Sequence, residues 1–360
     1  MSATKFEILH KNDSAEEQQS HLSAPQAPKT NSHHNFGKAL LLKMSGSDEE
    51  YDNAALDGST NGSKQKVDKY NLAGRTLTDA EWTILGGQAD VASLNLSRSN
   101  LTDDRLMRLT KLRHLTDLDL SSTNITDKGI ASLKAFKSLK RLNLQGVSLS
   151  DNAAQMLALL TNLESLNIGD SGITVQNLKK FESLAQLESL NLTNLNLSDA
   201  TMKSVSKHKN LRKLSVSKTN LDDSLLKPIS ELPKLEELKL RNTEITDSGL
   251  DTIAQLPNLR ILDLAYDHIH DDGVKKLRTL KRLEWLSLGY TKVTDKSLAV
   301  LATLPNLTIL GLRGTTINDN QLLEFAKFKH LKVLAITNSS ITAAGRRKLQ
   351  ALLPQVRIIF

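Results

Sequence analysis

The chain of 360 residues contains no cysteine. That excludes a disulfide framework, a thiolate metal site and a cysteine nucleophile, and it implies that no oxidising compartment is needed. Long apolar runs are missing too. The longest local candidate, Ala39-Leu40-Leu41-Leu42, is far too short to span a bilayer. The first twenty residues also lack the apolar stretch of about 7 to 15 residues that a cleavable secretion signal needs. The expected location is cytoplasmic, or exported without a cleavable leader. Aromatic residues are only 4% of the chain. The excess of basic residues, a net charge of +7, is spread among Asp and Glu along most of the length. A nucleic-acid track would need an uninterrupted basic stripe with stacking rings, so neither nucleic acid nor a membrane is expected as partner. Gly-rich phosphate loops, nucleophile elbows and HExxH motifs are absent, which predicts a non-enzymatic chain with no cofactor.

What is present is a repeat. Residues 115–133 read Leu115-x-x-Leu118-x-Leu120-x-x-Thr123-x-Ile125-Thr126-Asp127-x-x-Ile130-x-x-Leu133. Leu118 and Leu120 alternate as a strand with one buried face requires. Thr126 and Asp127 stand where a helix begins, and Ile130 and Leu133 recur at helical spacing. One unit is therefore strand, turn and short helix. Its first position recurs at Val67, Val91, Leu115, Leu139, Leu163, Leu187, Leu211, Leu235, Leu259, Leu283, Leu307 and Leu331, a step of 24 residues each time. A single unit cannot bury enough apolar surface to offset ordering its backbone, so the units must stack.

The pattern resembles the leucine-rich repeat L-x-x-L-x-L-x-x-N-x-L, with Thr or Ser at the Asn position, and is most similar to bacterial 24-residue repeats with a T-x-[IV]-T-D turn. The resemblance implies an α/β solenoid over residues 67–360, with a parallel sheet on the concave face and short helices on the convex face. It also implies a role in protein recognition. About twelve repeats are expected, the first (67–90) acting as a cap with Tyr70 and Trp82 in leucine positions, and a closing strand over 353–360. The end Ile358-Ile359-Phe360 leaves an apolar terminus that the last strand or another chain must cover. Residues 1–66 are polar and predicted to be a disordered tail or linker, with one transient helix over 36–44 and an acidic run, Ser45 to Asp52, able to accept phosphate.

Two ladders read as structural. The ninth position (Ser99, Thr123, Ser171, Thr219, Thr243, Thr291, Thr315, Ser339) offers a buried hydroxyl expected to bond the backbone of the next coil, with Val147, Leu195 and Asp267 breaking the series. The thirteenth, mostly Asp, is expected to cap the convex helices. Asp267-His268-Ile269-His270-Asp271-Asp272 has metal-ligand residue types, but two His on a solvated turn are usually just solvated, and no metal is expected.

The strand residues between the leucines carry the specificity. The third position runs Lys69, Ser93, Asp117, Arg141, Ser165, Ser189, Lys213, Glu237 and then turns apolar: Ile261, Trp285, Ile309, Val333. Tyr266 and Tyr290 stand at the eighth position beside it, and Ser287, Gly311 and Ala335 at the fifth leave room around them. Contiguous apolar surface with Trp and Tyr is the usual mark of a protein interface. The expected docking patch is Ile261, Trp285, Ile309 and Val333 with Tyr266 and Tyr290, while Arg141, Lys213 and Glu237 set register and selectivity. The alternatives are an exported bacterial effector acting as a substrate-recognition adaptor, or a self-assembling structural protein. The expected state is a monomer or weak homodimer.

Overall fold

A computed structural model describes residues 68–360. The expected tail over 1–66, with its helix and phosphate acceptors, and Val67 lie outside the described residues. Among the described residues thirteen strands form one parallel sheet in chain order. They are β1 (Asp68–Asn71), β2 (Val91–Asn95), β3 (Asp117–Asp119), β4 (Arg141–Asn143), β5 (Ser165–Asn167), β6 (Ser189–Asn191) and β7 (Lys213–Ser215). Then follow β8 (Glu237–Lys239), β9 (Ile261–Asp263), β10 (Trp285–Ser287), β11 (Ile309–Gly311), β12 (Val333–Ala335) and β13 (Arg357–Ile359). From β2 onward each residue pairs with the one 24 positions further on, as Trp285 does with both Ile261 and Ile309. A column in the sequence is thus a column in space.

Strands stack about 4.8 Å apart whereas helices are about 10 Å across, so the sheet takes the inside of the curve. Between them run the leucine columns: Leu118, Leu142 and Leu166 at the fourth position, and Leu120, Leu144 and Ile168 at the sixth, are buried, as are their counterparts along the rod. Tyr70 and Trp82 are fully buried in the first coil. At the other end β13 closes the sheet against β12. Ile358 and Phe360 pack against the core, while Ile359 remains exposed.

The left-handed turn after each strand explains the eighth position. Residues 98, 122, 146, 170, 194, 218, 242, 266, 290, 314 and 338 all have φ between 54° and 67°. In that conformation the eighth-position N–H reaches the carbonyl of the next coil, as Asn242 N does to Ala265 O at 2.8 Å and Tyr266 N to Gly289 O at 2.8 Å. The ladder of the sheet is prolonged round the corner, at a conformational cost that Gly, Asn and Asp bear best.

Both polar ladders differ from expectation in their partners. Four ninth-position hydroxyls bond within their own coil: Thr123, Thr219, Thr291 and Thr315 donate to the carbonyl three residues back at 2.6 to 2.7 Å, while Thr243 donates to the Asp267 side chain of the next coil at 3.0 Å. In those four the turn is so tight that this carbonyl is nearer than the next coil. The thirteenth-position aspartates, in turn, are not the caps. Thr126, Ser150 and Thr294 are N-caps that accept from backbone amides of their own helices, and the Asp that follows each lies in the first turn; Asp127 and Asp151 reach across to Ser150 and Thr174 of the next coil. Asp103 accepts from Thr126 N at 2.8 Å and Thr126 Oγ1 at 2.7 Å, and Asp223 from Thr246 in the same way at 2.9 and 2.6 Å. These carboxylates staple neighbouring helices together. Gly273 exists for this reason: a Cβ there would stand 2.2 Å from Asp247 Oδ1.

The twenty-second position is a buried apolar column (Phe136, Leu160, Leu184, Leu232, Leu256) interrupted by His208, which is 3% exposed. Burial pushes the His208 imidazole below its ordinary value, more than its hydrogen bond to the Leu184 backbone and the nearby Glu182 offset. The unfolded chain therefore binds a proton that the folded chain resists. Stability is expected to fall as pH drops below about 6.5 and on toward the depressed folded value. His208→Leu should flatten that acid limb of the melting temperature against pH while changing the midpoint little at pH 8.

Candidate protein-docking face

The concave face divides at β8. On the N-terminal side lies a groove of about 410 Å³ lined by residues from Ser93 to Lys239. Its floor is an amide ladder in which Asn143, Asn167 and Asn191 each bond the amide two residues on, at 2.9 to 3.1 Å, fixing the strand-to-turn corner. Charges here answer one another across the sheet. Arg141 makes a two-pronged contact with Asp117 and lies 3.8 Å from Glu164. Burial alone would raise the Asp117 carboxyl, but the Arg141 and Thr116 hydrogen bonds bring it below the ordinary range. Lys213 lies 3.8 Å from Glu237, whose other oxygen holds Lys239 at 2.6 Å. The three charged residues predicted for the site are thus committed to neighbours. Only Glu237 borders the apolar patch, paired directly with Ile261.

On the C-terminal side Ile261, Trp285, Ile309 and Val333 are successive cross-strand partners on β9 to β12. All four are half-exposed, so the Trp285 indole lies on the surface and not in the core. Ser287, Gly311 and Ala335 form the adjoining column and leave the faces of these side chains open. Along the rim the two tyrosines stack, with ring centroids 4.4 Å apart and planes at 22°. The Tyr290 ring lies over Gly314, where a Cβ would come within 2.5 Å of it. Asn338 Nδ2 donates to Tyr290 Oη at 3.0 Å, and this bond, with Arg313 nearby, holds the phenol below its ordinary value.

Sequence reasoning missed the residues that bracket this stack. Arg241 lies over Tyr266 at 4.5 Å and Arg313 over Tyr290 at 5.7 Å, giving the order Arg, Tyr, Tyr, Arg across coils 8 to 11. Both occupy the seventh position, otherwise filled by small or polar residues, and reading that column beside the tyrosines would have exposed them.

The histidine cluster does not assemble. His268 and His270 are exposed and lie 3.6 Å from Glu244 and Asp247 respectively. Asp267 points the other way, into the interior, where Oδ1 accepts from Thr243 N at 2.7 Å and Thr243 Oγ1 at 3.0 Å while Oδ2 has no partner. Among the described residues no cluster suited to a metal ion is found, and no helix is long and apolar enough to cross a membrane.

A thirteen-strand parallel sheet with short convex helices and leucines at every coil defines a leucine-rich repeat solenoid. The chain belongs to the leucine-rich repeat family: the model of the leucine-rich repeat region matches residues 94–357. Among solved structures it is similar to an internalin, InlF, from Listeria monocytogenes, with 22% identity over 81% of this chain and 86% of that one, at a TM-score of 0.59. A leucine-rich repeat protein from Leptospira interrogans, LIC12759, matches with 21% identity over 81% and 89% of the two chains, at a TM-score of 0.45. Listeria internalin C2 matches with 25% identity over 53% and 79%, at 0.44. No curated protein matches.

Proposed function

We propose that this chain is a non-catalytic scaffold that holds a protein partner along the C-terminal half of its concave face. Leucine-rich repeat folds commonly mediate protein–protein interaction, and the specific reading rests on one observation. Tyr266 and Tyr290 occupy a left-handed turn position, with φ of 67° and 57°. A bulky ring there is strained by about 1 kcal/mol or more relative to Gly or Asn, the residues found in neighbouring coils. Two rings side by side at that cost, beside a half-exposed Trp, are explained by contact with a partner and not by the needs of the turn. Ile261, Ile309 and Val333 supply apolar area around Trp285, and the Ser, Gly and Ala column lets a partner's side chains approach it. Arg141, Lys213 and Glu237, paired with neighbouring charges, would set register and selectivity only for a longer partner that continues into the polar groove.

Changing Trp285 and Tyr290 together to Ser is expected to reduce partner capture from lysate at least about tenfold, as loss of two interface anchors does. The thermal midpoint should move little, because neither side chain is in the leucine core. Capture that survives the double change sinks the assignment.

A further inference from the structure

The charges around the patch point to what covers it when no partner is bound. Two nearby cations are spent on carboxylates, Lys239 on Glu237 and Arg260 on Glu284. Arg241 and Arg313 are not: each lies over a tyrosine and neither has a carboxylate partner among the described residues, as is also the case for Arg357 beside Val333. Asp263, on β9 between them, spends an oxygen on the Ala265 amide at 3.1 Å. The face therefore asks for an occupant with apolar side chains for the Ile261 to Val333 column and acidic ones for the flanking guanidiniums.

Such a sequence precedes β1 in this same chain. Ala39-Leu40-Leu41-Leu42-Lys43-Met44 supplies the apolar part. Between Met44 and Lys64 there are five carboxylates (Asp48, Glu49, Glu50, Asp52 and Asp57) and no Lys or Arg. The reach suffices. Sixteen residues from Asp52 to Asp68 span up to about 53 Å when extended. Arg241 follows β8, seven strand spacings from β1, or about 34 Å. From there the six residues 39–44 have slack to reach β10 and β11.

We propose that residues 39–52 dock along β8 to β12 as an internal occupant, with Asp48 to Asp52 toward Arg241 and Leu40 to Met44 against Trp285 and Ile309, so that a partner must displace them. The proposal rests on the docking face argued above. A tethered segment is present at an effective concentration of about 1 mM, so even a weak contact is populated.

The absence of cysteine makes the test direct. In the full chain, Leu41→Cys is combined with Ser287→Cys on the concave face, or with Ser230→Cys on the convex side as control, and mild oxidation is followed on non-reducing gels. The concave pair is expected to close within one chain about tenfold faster than the control pair. Neutralising the acidic run (Asp48→Asn, Glu49→Gln, Glu50→Gln, Asp52→Asn) should slow it severalfold. Equal rates for the two pairs, a disulfide formed only between chains, or indifference to neutralisation overturns the proposal. None of those outcomes alters partner capture through Trp285, so the docking face would stand or fall separately.

Discussion

Asp267→Thr is expected to stabilise the rod, and to do so more at pH 8 than at pH 4.5. Asp267 holds a ninth-position slot that other coils give to Thr, it is 3% exposed, and one of its oxygens lacks a partner. Burial pushes its carboxyl up to about 8, against the pull of the Thr243 hydrogen bonds, with Asp263 and Glu244 adding to the rise. The unfolded chain ionises this group near 3.8 and the folded chain only near 8, so stability is lost progressively between those values as pH rises. A shift of that size corresponds to a cost of about 6 kcal/mol at most, and relaxation around the free oxygen reduces it to about 2 to 4 kcal/mol. Threonine would donate to Leu264 O as Thr291 does to Leu288 O at 2.7 Å, and would free Thr243 to do the same in its own coil. Denaturant midpoints at the two pH values measure this. Equal gains at both, or a loss at pH 8, would show that the carboxyl is not the destabilising group.

Two adjacent aspartates should give unequal results. Asp271 accepts from Thr294 N at 2.9 Å, Thr294 Oγ1 at 2.6 Å and Ser297 Oγ at 2.5 Å, tying its own convex helix (Asp271–Lys276) to the one that begins at Asp295 in the next coil. Burial alone would raise its carboxyl, but the Ser297 and Thr294 bonds bring it below the ordinary range. Asp271→Ala leaves those donors without a partner and is expected to cost about 2 to 4 kcal/mol. Asp272→Ala loses only an exposed contact with Lys275 at 2.6 Å and should leave the denaturation midpoint nearly unchanged, because solvent screens that pair. Because coils are held only by their neighbours, Asp271→Ala should also broaden the unfolding transition by letting the two ends of the rod melt separately. Chemical denaturation of both variants separates the outcomes, and equal destabilisation would remove the staple from the account.

The leucine columns were legible because the repeat is local and exact in length. A side chain at the fourth or sixth position meets the same neighbours in every coil, so one coil describes all the rest. The apolar turn of the third column at Ile261 was legible for the same reason, and so was the exposure of Trp285. The Arg bracket was not, because Arg241 and Arg313 gain meaning only from rings 25 and 23 residues away. Nor were the partners of the two polar ladders, since a hydroxyl or carboxylate with several acceptors or donors in reach chooses by distances of a few tenths of an ångström.

By itself the sequence determined the unit, its period, which columns are buried and where the inner surface changes from polar to apolar, because those follow from side-chain hydrophobicity repeated at a constant interval. Only the tertiary structure decided that Asp127 and its kin bind the following coil, that Asp267 turns inward while His268 and His270 turn outward, and that two tyrosines stack between two arginines. Those outcomes depend on how one coil is set against the next, and a carboxylate or a ring takes its role from whatever that stacking brings within about 3 to 5 Å.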